Sequence, residues 1–396
     1  MIFTGVGLMI GVGCSVVASI QSARGKFRTA RINVTQALVA VTVFASIPSL
    51  VALIFPDTLL RLLGASAYLL PQAREYMLWS VPSWLFTMWG AVSLFVIRLD
   101  GRPRLAMACS LISAGINVVL DWVFIFPLGW GVKGAAIATS ISVVIGGLIA
   151  VGYLLLYARF LRLYPIKWSR KSMRLFIRNI GYQCRIGSSA LLAEATLATL
   201  MFMGNHLFMH YLGEHGVGAF GIACYYTPFV FMVGNAIAQS AQPIISYNFG
   251  AGCRQRVQKT IRIALLTAVL CGAAVTSLFV CIPHLLVGLF ISPNDPTFAI
   301  ATSGFPYYAA GFIFFILNLT TIGYYQSLER VGPATLLALL RGFFFLIPAF
   351  LLLPRWLDTP GIWLALSCSE LLTTLCSLAF YLFRTCDVSK QRCARG

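Results

Sequence analysis

The fold class is decided by one segment, which reads Gly115-Ile116-Asn117-Val118-Val119-Leu120-Asp121-Trp122-Val123-Phe124-Ile125-Phe126. It is apolar enough to lie in a lipid bilayer, yet it carries Asn117 and Asp121 four residues apart. Residues i and i+4 of a helix lie on one face. An Asp at the centre of a membrane helix costs about 2.5–3.5 kcal/mol on insertion scales. Because such residues usually face a bundle interior or a wet cavity, the segment predicts a functional polar site within a membrane protein.

Composition extends this prediction to the whole chain. Of its 396 residues, 59% are hydrophobic and 10% are charged, whereas a soluble domain carries about 25% charged residues. The net charge of +18 could indicate nucleic-acid binding. The basic residues, however, lie in short segments between apolar runs, as in the cytoplasmic loops of membrane proteins. We therefore expect a multi-pass protein of the cytoplasmic membrane, in contact with the lipid bilayer and without a nucleic-acid partner.

Apolar runs long enough to cross a bilayer, which takes about 20 residues, recur about eleven times along the chain. They cover residues 2–20, 34–55, 76–98, 105–126, 135–157, 187–211, 217–247, 262–287, 299–327, 334–353 and 361–383. The segments between them alternate between strongly basic and mixed charge, and the basic set includes the C-terminal tail. By the positive-inside rule, the C-terminus is predicted to be cytoplasmic.

An internal repeat divides the chain into two halves. Pro103 matches Pro333 and Gly131 matches Gly361, both at an offset of 230 residues, while Gly25 matches Gly252 at 227. We predict the following organisation: an N-lobe of five helices over residues 1–157, a basic cytoplasmic linker over 158–185, a C-lobe of six helices over 186–384, and a cytoplasmic tail over 385–396.

The repeat also predicts a helix before Met1. The run 187–211 opens the second half, and its counterpart about 228 residues earlier would precede the chain. A protein with that helix restored would have about twelve spans, six in each half. Equal halves with parallel topology are related by an axis along the membrane normal.

Four stretches of the sequence are distinctive together: Gly7–Gly13 with Gly25-Lys26, Asp100–Pro103 followed by Asn117 and Asp121, Gly131–Ala136, and Gln242–Ala251. With these stretches the chain resembles the MATE (multidrug and toxic compound extrusion) family, nearer its bacterial DinF-like subgroup. The resemblance implies an all-α polytopic fold of two six-helix bundles related by a pseudo-two-fold axis along the membrane normal, with about eleven spans present here. It further implies a secondary active multidrug exporter that acts as a monomer and exchanges hydrophobic or cationic organic compounds for H⁺ or Na⁺ by alternating access.

The resemblance also assigns site residues. Asn117, Asp121 and Thr139 match a cation-coupling site, whose further Asp belongs to the helix expected before Met1, and Glu194 matches a second acidic site. Their residue types make Met201, Tyr225, Tyr226, Tyr307, Asn318 and Gln326 candidates for a substrate cleft. Arg341 and Glu370 are predicted to form a structural pair.

Other site chemistries fit the sequence less well. The eleven cysteines contain no CxxC pair and are expected to be packing residues, not disulfides or metal ligands. His206 and His210 share a helical face without a third ligand nearby, so we predict no metal site beyond Na⁺ at Asp121. The chain has no Walker A motif, so ATP is not the expected fuel, and no cofactor other than the coupling ion is expected.

Three other functions remain as alternatives. A lipid-linked oligosaccharide flippase of the same superfamily would need a basic cleft, whereas Asp121, Glu194 and Glu370 outnumber the one intramembrane Arg341. A membrane-embedded transferase would need clustered histidines and carboxylates, so an enzyme is not expected. A channel is the third alternative, and repeats with a buried acid fit alternating access better.

Overall fold

The computed structural model describes residues 2–62, 68, 70–165 and 169–393, and within these ranges it describes the side chains of residues 3 to 380. These residues form helices and no strand. The first helices are α1 (Ile2–Ala23), α2 (Phe27–Ile54), the short α3 (Pro56–Leu62), α4 (Leu70–Leu99), α5 (Pro103–Ile125) and α6 (Gly131–Leu156). The prediction of an all-α chain is confirmed.

The second part of the chain contains two very long helices and several short ones. In order they are α7 (Arg170–Gly250), α8 (Arg254–Cys281), α9 (Pro283–Gly288), α10 (Pro296–Ala309), α11 (Phe312–Ser327), α12 (Val331–Leu339), a π-helix (Leu340–Phe344) and α13 (Leu346–Cys393). The helices α10 and α11 meet at a bend of 43° and together have the length and composition of one membrane span.

Both long helices fold back on themselves as hairpins. The 81 residues of α7 would extend about 120 Å if straight, but its backbone turns at Gly213, where φ is 63°. The rings of Phe208 and Phe220 then stack with their centroids 4.6 Å apart. In α13 the backbone turns at Asp358, where φ is 50°, and Gly361 packs against the carbonyl of Leu353.

The number of spans follows from these hairpins. Eight helices of the described chain are long and apolar enough to cross a bilayer, and the bent pair α10–α11 makes nine. Because α7 and the stretch Val331–Phe380 each contain two arms, the described residues supply eleven spans. This is the number expected from the apolar runs.

The helices form two compact units. The first unit comprises Met1–Leu191 and Ser246–Gly252, and the second comprises Leu192–Ile245 and Cys253–Gly396. These limits differ from the predicted linker over 158–185, because the chain from Arg170 is already helical and the segment before it is bonded to the first unit. The predicted tail over 385–396 overlaps α13, and its residues 394–396 lie outside the described residues.

A buried carboxylate binds the end of α6 to the end of α4. Both oxygens of Asp100 accept hydrogen bonds: Oδ1 from the backbone N–H groups of Phe160 and Leu161, each at 2.9 Å, and Oδ2 from the Tyr153 hydroxyl at 2.8 Å. A further N–H, from Arg159, lies 3.2 Å from Oδ2. The start of the predicted linker is therefore an ordered part of the first unit.

Two glycines allow α1 and the first arm of α7 to cross in direct backbone contact. A Cβ atom at Gly13 would collide with the backbone of Gln183, and one at Gly187 would collide with the carbonyl of Met9. The two contacts are four residues apart on each helix, which is the spacing of one helical face. The glycine-rich first run thus forms a close helix–helix contact.

The internal repeat is visible in the turn geometry, with a corrected register. Gly25 and Gly252 both have φ of 75°, and the N–H of each bonds the carbonyl three residues earlier. Gly101 has φ of 84° and its geometric counterpart is Glu329, at φ of 56°. This offset of 228 residues differs from the 230 predicted from Pro103 and Pro333, because Pro103 is the first residue of α5 whereas Pro333 is the third residue of α12.

Candidate functional site

The predicted cation-coupling residues lie on neighbouring helices of the first unit. A Cβ atom at Gly134 of α6 would lie 2.9 Å from the Cβ of Phe124, and one at Gly146 would lie 2.9 Å from the Cβ of Ser113. These two positions bring α6 against α5 on both sides of Asn117. The Asn117 Nδ2 atom donates to Thr139 Oγ1 at 3.5 Å. The close helix packing therefore places the predicted amide and hydroxyl beside each other.

Asp121 lies one turn from Asn117 and is half-buried. Its Oδ1 atom is shielded from solvent and has no hydrogen-bond partner among the described residues. Buried polar atoms in proteins are nearly always hydrogen-bonded, so an exception calls for an explanation such as an ion or a functional role. An acceptor of this kind is available for a proton or a metal cation.

Glu194 lies on the first arm of α7, in the second unit. Its side chain is half-buried and follows the core residue Ala193, which is 6% exposed. Three residues further on, the core residue Leu197 is 4% exposed. The structure thus places this acid at the edge of an apolar core, as expected for a carboxylate in a membrane helix.

The predicted cleft residues separate into an accessible set and a buried set. Tyr225 is 73% exposed and stacks on Phe290 at 5.5 Å, and Tyr307 is 44% exposed. Met201 is half-buried, and the Tyr226 hydroxyl donates to the Leu286 carbonyl at 2.9 Å.

Asn318 and Gln326 require a correction, since they are 2% and 6% exposed and are closed to a substrate in this structure. The reason for Asn318 is its place in a buried network around Glu370. Its Nδ2 atom donates to Glu370 Oε2 at 2.8 Å and to the Glu370 carbonyl at 2.9 Å. The Thr374 hydroxyl donates to Asn318 Oδ1 at 3.1 Å.

Arg341 completes this network from the π-helix. Its Nη2 and Nε atoms donate to Glu370 Oε1 at 2.7 and 3.0 Å. The guanidinium lies 4.3 Å from the centroid of the Phe315 ring, and the Ser369 hydroxyl donates to the Arg341 carbonyl at 2.7 Å. The structure thus pairs the two residues that were predicted to pair and adds Asn318, for which the sequence offered only a polar residue in an apolar run.

Comparison with known proteins decides the family. A family model described as MatE matches residues 1–123 and 190–351, more than half of the chain. The chain belongs to the MATE family. The multidrug export protein MepA of Staphylococcus aureus strain MSSA476 is 25% identical over 407 residues, covering 98% of this chain and 85% of that protein. MepA of Staphylococcus haemolyticus strain JCSC1435 is 27% identical over 254 residues, covering 64% and 54%.

Solved structures agree on the fold. A MATE transporter in complex with MaL6 superposes with a TM-score of 0.87 at 18% identity, covering 98% of this chain and 86% of that one. A MOP-superfamily transporter from Pyrococcus furiosus has a TM-score of 0.86 at 19% identity, covering 96% and 85%. The predicted MATE-like, multi-pass membrane fold is therefore confirmed, and the matched relatives are transporters, not enzymes.

Proposed function

We propose that this member of the MATE family is a secondary active multidrug exporter, driven by inward movement of H⁺ or Na⁺ through the Asn117–Asp121–Thr139 site. The observation that carries the proposal is the buried Asp121 Oδ1 atom, which has no hydrogen-bond partner among the described residues. The names of the MepA relatives support multidrug export as the transported chemistry.

The three side chains offer suitable chemistry for a coupling ion. A carboxylate can take up a proton, and carboxylate, amide and hydroxyl oxygens together suit a hard cation such as Na⁺. Since Asn117 donates its Nδ2 to Thr139, its Oδ1 remains as an acceptor on the same side chain. Ion binding at Asp121 would neutralise a charge that is costly in the membrane, so loading and release can favour different conformations.

The buried charges favour this function over a lipid-linked oligosaccharide flippase. A flippase would need cationic side chains to bind a pyrophosphate head group. Arg341 is the one intramembrane arginine among the candidates, and its charge is matched by Glu370 at 2.7 Å with both side chains fully buried. Asp121 and Glu194 remain as acids, which suits cationic organic compounds.

The proposal includes an arrangement in the membrane. The strongly basic segments and the C-terminus face the cytoplasm, following the positive-inside rule. The protein acts as a monomer in the cytoplasmic membrane, without cofactor or nucleic acid.

The test is transport in everted membrane vesicles that contain the full chain. Asp121→Asn should abolish the drug-induced dissipation of a proton or sodium gradient at unchanged expression. The matched control is Glu214→Gln, because Glu214 is an exposed carboxylate on α7 in the second unit, outside the proposed site. Unchanged coupled transport in Asp121→Asn would refute the coupling role, and equal loss in both variants would indicate a general folding defect and also count against it.

A further inference from the structure

The first unit contains a large cavity apart from the candidate cation site. Its volume is about 780 Å³, and it is lined by residues of α1, α2, α3, α4 and the first turn of α6. This volume falls in the range of about 300–1,000 Å³ that is typical of small-molecule sites. The cavity is therefore large enough for an organic ligand or a hydrocarbon chain.

The cavity has a closed apolar floor and a mouth on the protein surface. Leu60, Met77 and Met88 form the floor, and they are 9%, 7% and 1% exposed. Phe44 and Val132 lie at the mouth and are 49% and 55% exposed. Since α2 continues beyond Phe44 with further exposed apolar side chains, the mouth opens beside a surface that the lipid tails would cover.

Polar groups in the cavity lie along one face of α4. The lining residues Gln72, Tyr76 and Ser80 are spaced by four residues, so they share a helical face. The Ser80 hydroxyl is used within the helix, donating to the Tyr76 carbonyl at 2.7 Å. An amide and a phenol thus lie nearer the start of α4, while the rest of the cavity is apolar.

Two exposed ion pairs connect the helices around this end of the cavity. Arg74 Nε lies 3.6 Å from Asp57 Oδ1, joining α4 to α3, and Lys133 Nζ lies 3.0 Å from Glu75 Oε1, joining α6 to α4. All four side chains are between 39% and 52% exposed. Because half-exposed charges are unfavourable in hydrocarbon, they mark the membrane interface beside the mouth.

We propose that this cavity binds one acyl chain of a zwitterionic aminophospholipid, whose head group contacts the two ion pairs. The apolar floor accommodates the chain. Arg74 and Lys133 match the phosphate, and Asp57 and Glu75 accept hydrogen bonds from the primary ammonium. Each ion pair presents one cation and one carboxylate, so a head group with a phosphate and an amine can contact both charges. An anionic head group without an amine can contact only the cation and would compete with the carboxylate for it, so charge complementarity favours the zwitterionic lipid.

The experiment is photolabelling of the full chain in phosphatidylcholine vesicles. Three probes carry the same diazirine at the end of one acyl chain and differ in head group: phosphatidylethanolamine, phosphatidylcholine and phosphatidylglycerol. We expect labelling of the α4 peptide that contains Met77, with the ethanolamine lipid preferred by about fivefold, the scale of one exposed ion pair. Equal labelling by the three probes would overturn the proposal.

Variants separate the chain contact from the head-group contact. Ser80→Trp and, independently, Ala73→Phe should fill the cavity and remove the label, whereas Leu50→Trp on the exposed surface of α2 should leave it unchanged. Asp57→Asn with Glu75→Gln should keep the label but shift the preference to phosphatidylglycerol. Labelling that survives both filling variants would contradict the proposal. Displacement by excess tetraphenylphosphonium would assign the cavity to organic cations instead and also overturn it.

Discussion

Arg341 Nη2 and Glu370 Oε1 are 2.7 Å apart, and both side chains are fully buried. The pair joins the π-helix to α13, and Asn318 attaches α11 to the same carboxylate. π-Helices are frequent at functional sites, and here one carries a charged side chain that is fully buried. This buried pair is therefore a connection among three helices.

The pair predicts an asymmetry between single and double replacement. Glu370→Gln should lower the free energy of unfolding by about 3–5 kcal/mol, because it leaves the Arg341 charge buried without a counter-charge. Arg341→Met combined with Glu370→Leu should lose much less, since both charges are removed. Thermal or denaturant unfolding in detergent measures both, and a double variant that is less stable than Glu370→Gln would contradict this account.

The glycine contacts between α1 and α7 predict a position-specific effect of a single methyl group. Gly13→Ala and Gly187→Ala should each destabilise the protein by about 1–3 kcal/mol, the usual cost of overpacking, since a Cβ atom at either site collides with backbone. Gly181→Ala is the control, because its Cβ atom would meet nothing within 4 Å. Unfolding midpoints of the three variants test this prediction. Equal shifts in all three would show that α1 and α7 can move apart at their crossing without loss of stability.

Replacing Asp100 should reduce the order of the segment that follows α6. Asp100→Asn replaces one acceptor oxygen with a donor that faces a backbone N–H or a hydroxyl, so we expect a loss of about 1.5–3 kcal/mol. Hydrogen exchange should accelerate in a peptide covering residues 158–163. Tyr153→Phe removes a single hydrogen bond to the same carboxylate and should produce a smaller change. Unaltered exchange in Asp100→Asn would mean that other contacts order this segment.

Removing the Asn117 amide should weaken binding of the coupling ion. Asn117→Ala should weaken the apparent affinity for the coupling ion by about 10-fold, the lower end for groups that orient an ion ligand. Val118→Ala is the control, because Val118 is 68% exposed on the next position of α5. Drug transport measured against H⁺ or Na⁺ concentration gives the apparent affinities. An equal change of affinity in both variants would contradict a role of Asn117 in the proposed site.

Several features of the fold could be predicted from local sequence. The eleven spans follow from the lengths of the apolar runs, and the common face of Asn117 and Asp121 follows from helical periodicity. The internal repeat could also be detected in the sequence, but the residue offset between its two copies could not be fixed. Glu329 adopts the left-handed backbone conformation of Gly101 without resembling it in sequence.

The buried contacts needed the tertiary structure. Asn318 was predicted to line a cleft, and only its contact with a residue 52 positions away places it in the Arg341–Glu370 network. Asp100 appeared in the sequence only within the stretch Asp100–Pro103 that resembles the family, and its hydrogen bonds join it to backbone 59 to 61 residues further on.

The sequence by itself therefore determined that the chain crosses the membrane, where it crosses, and which polar residues share a helical face. These properties depend on composition and on spacing within one helix. The tertiary structure alone decided which polar atoms are bonded to each other and that Asp121 Oδ1 lacks a partner among the described residues. Those outcomes depend on how separate helices pack, and packing joins residues whose separation in the chain carries no periodic signal.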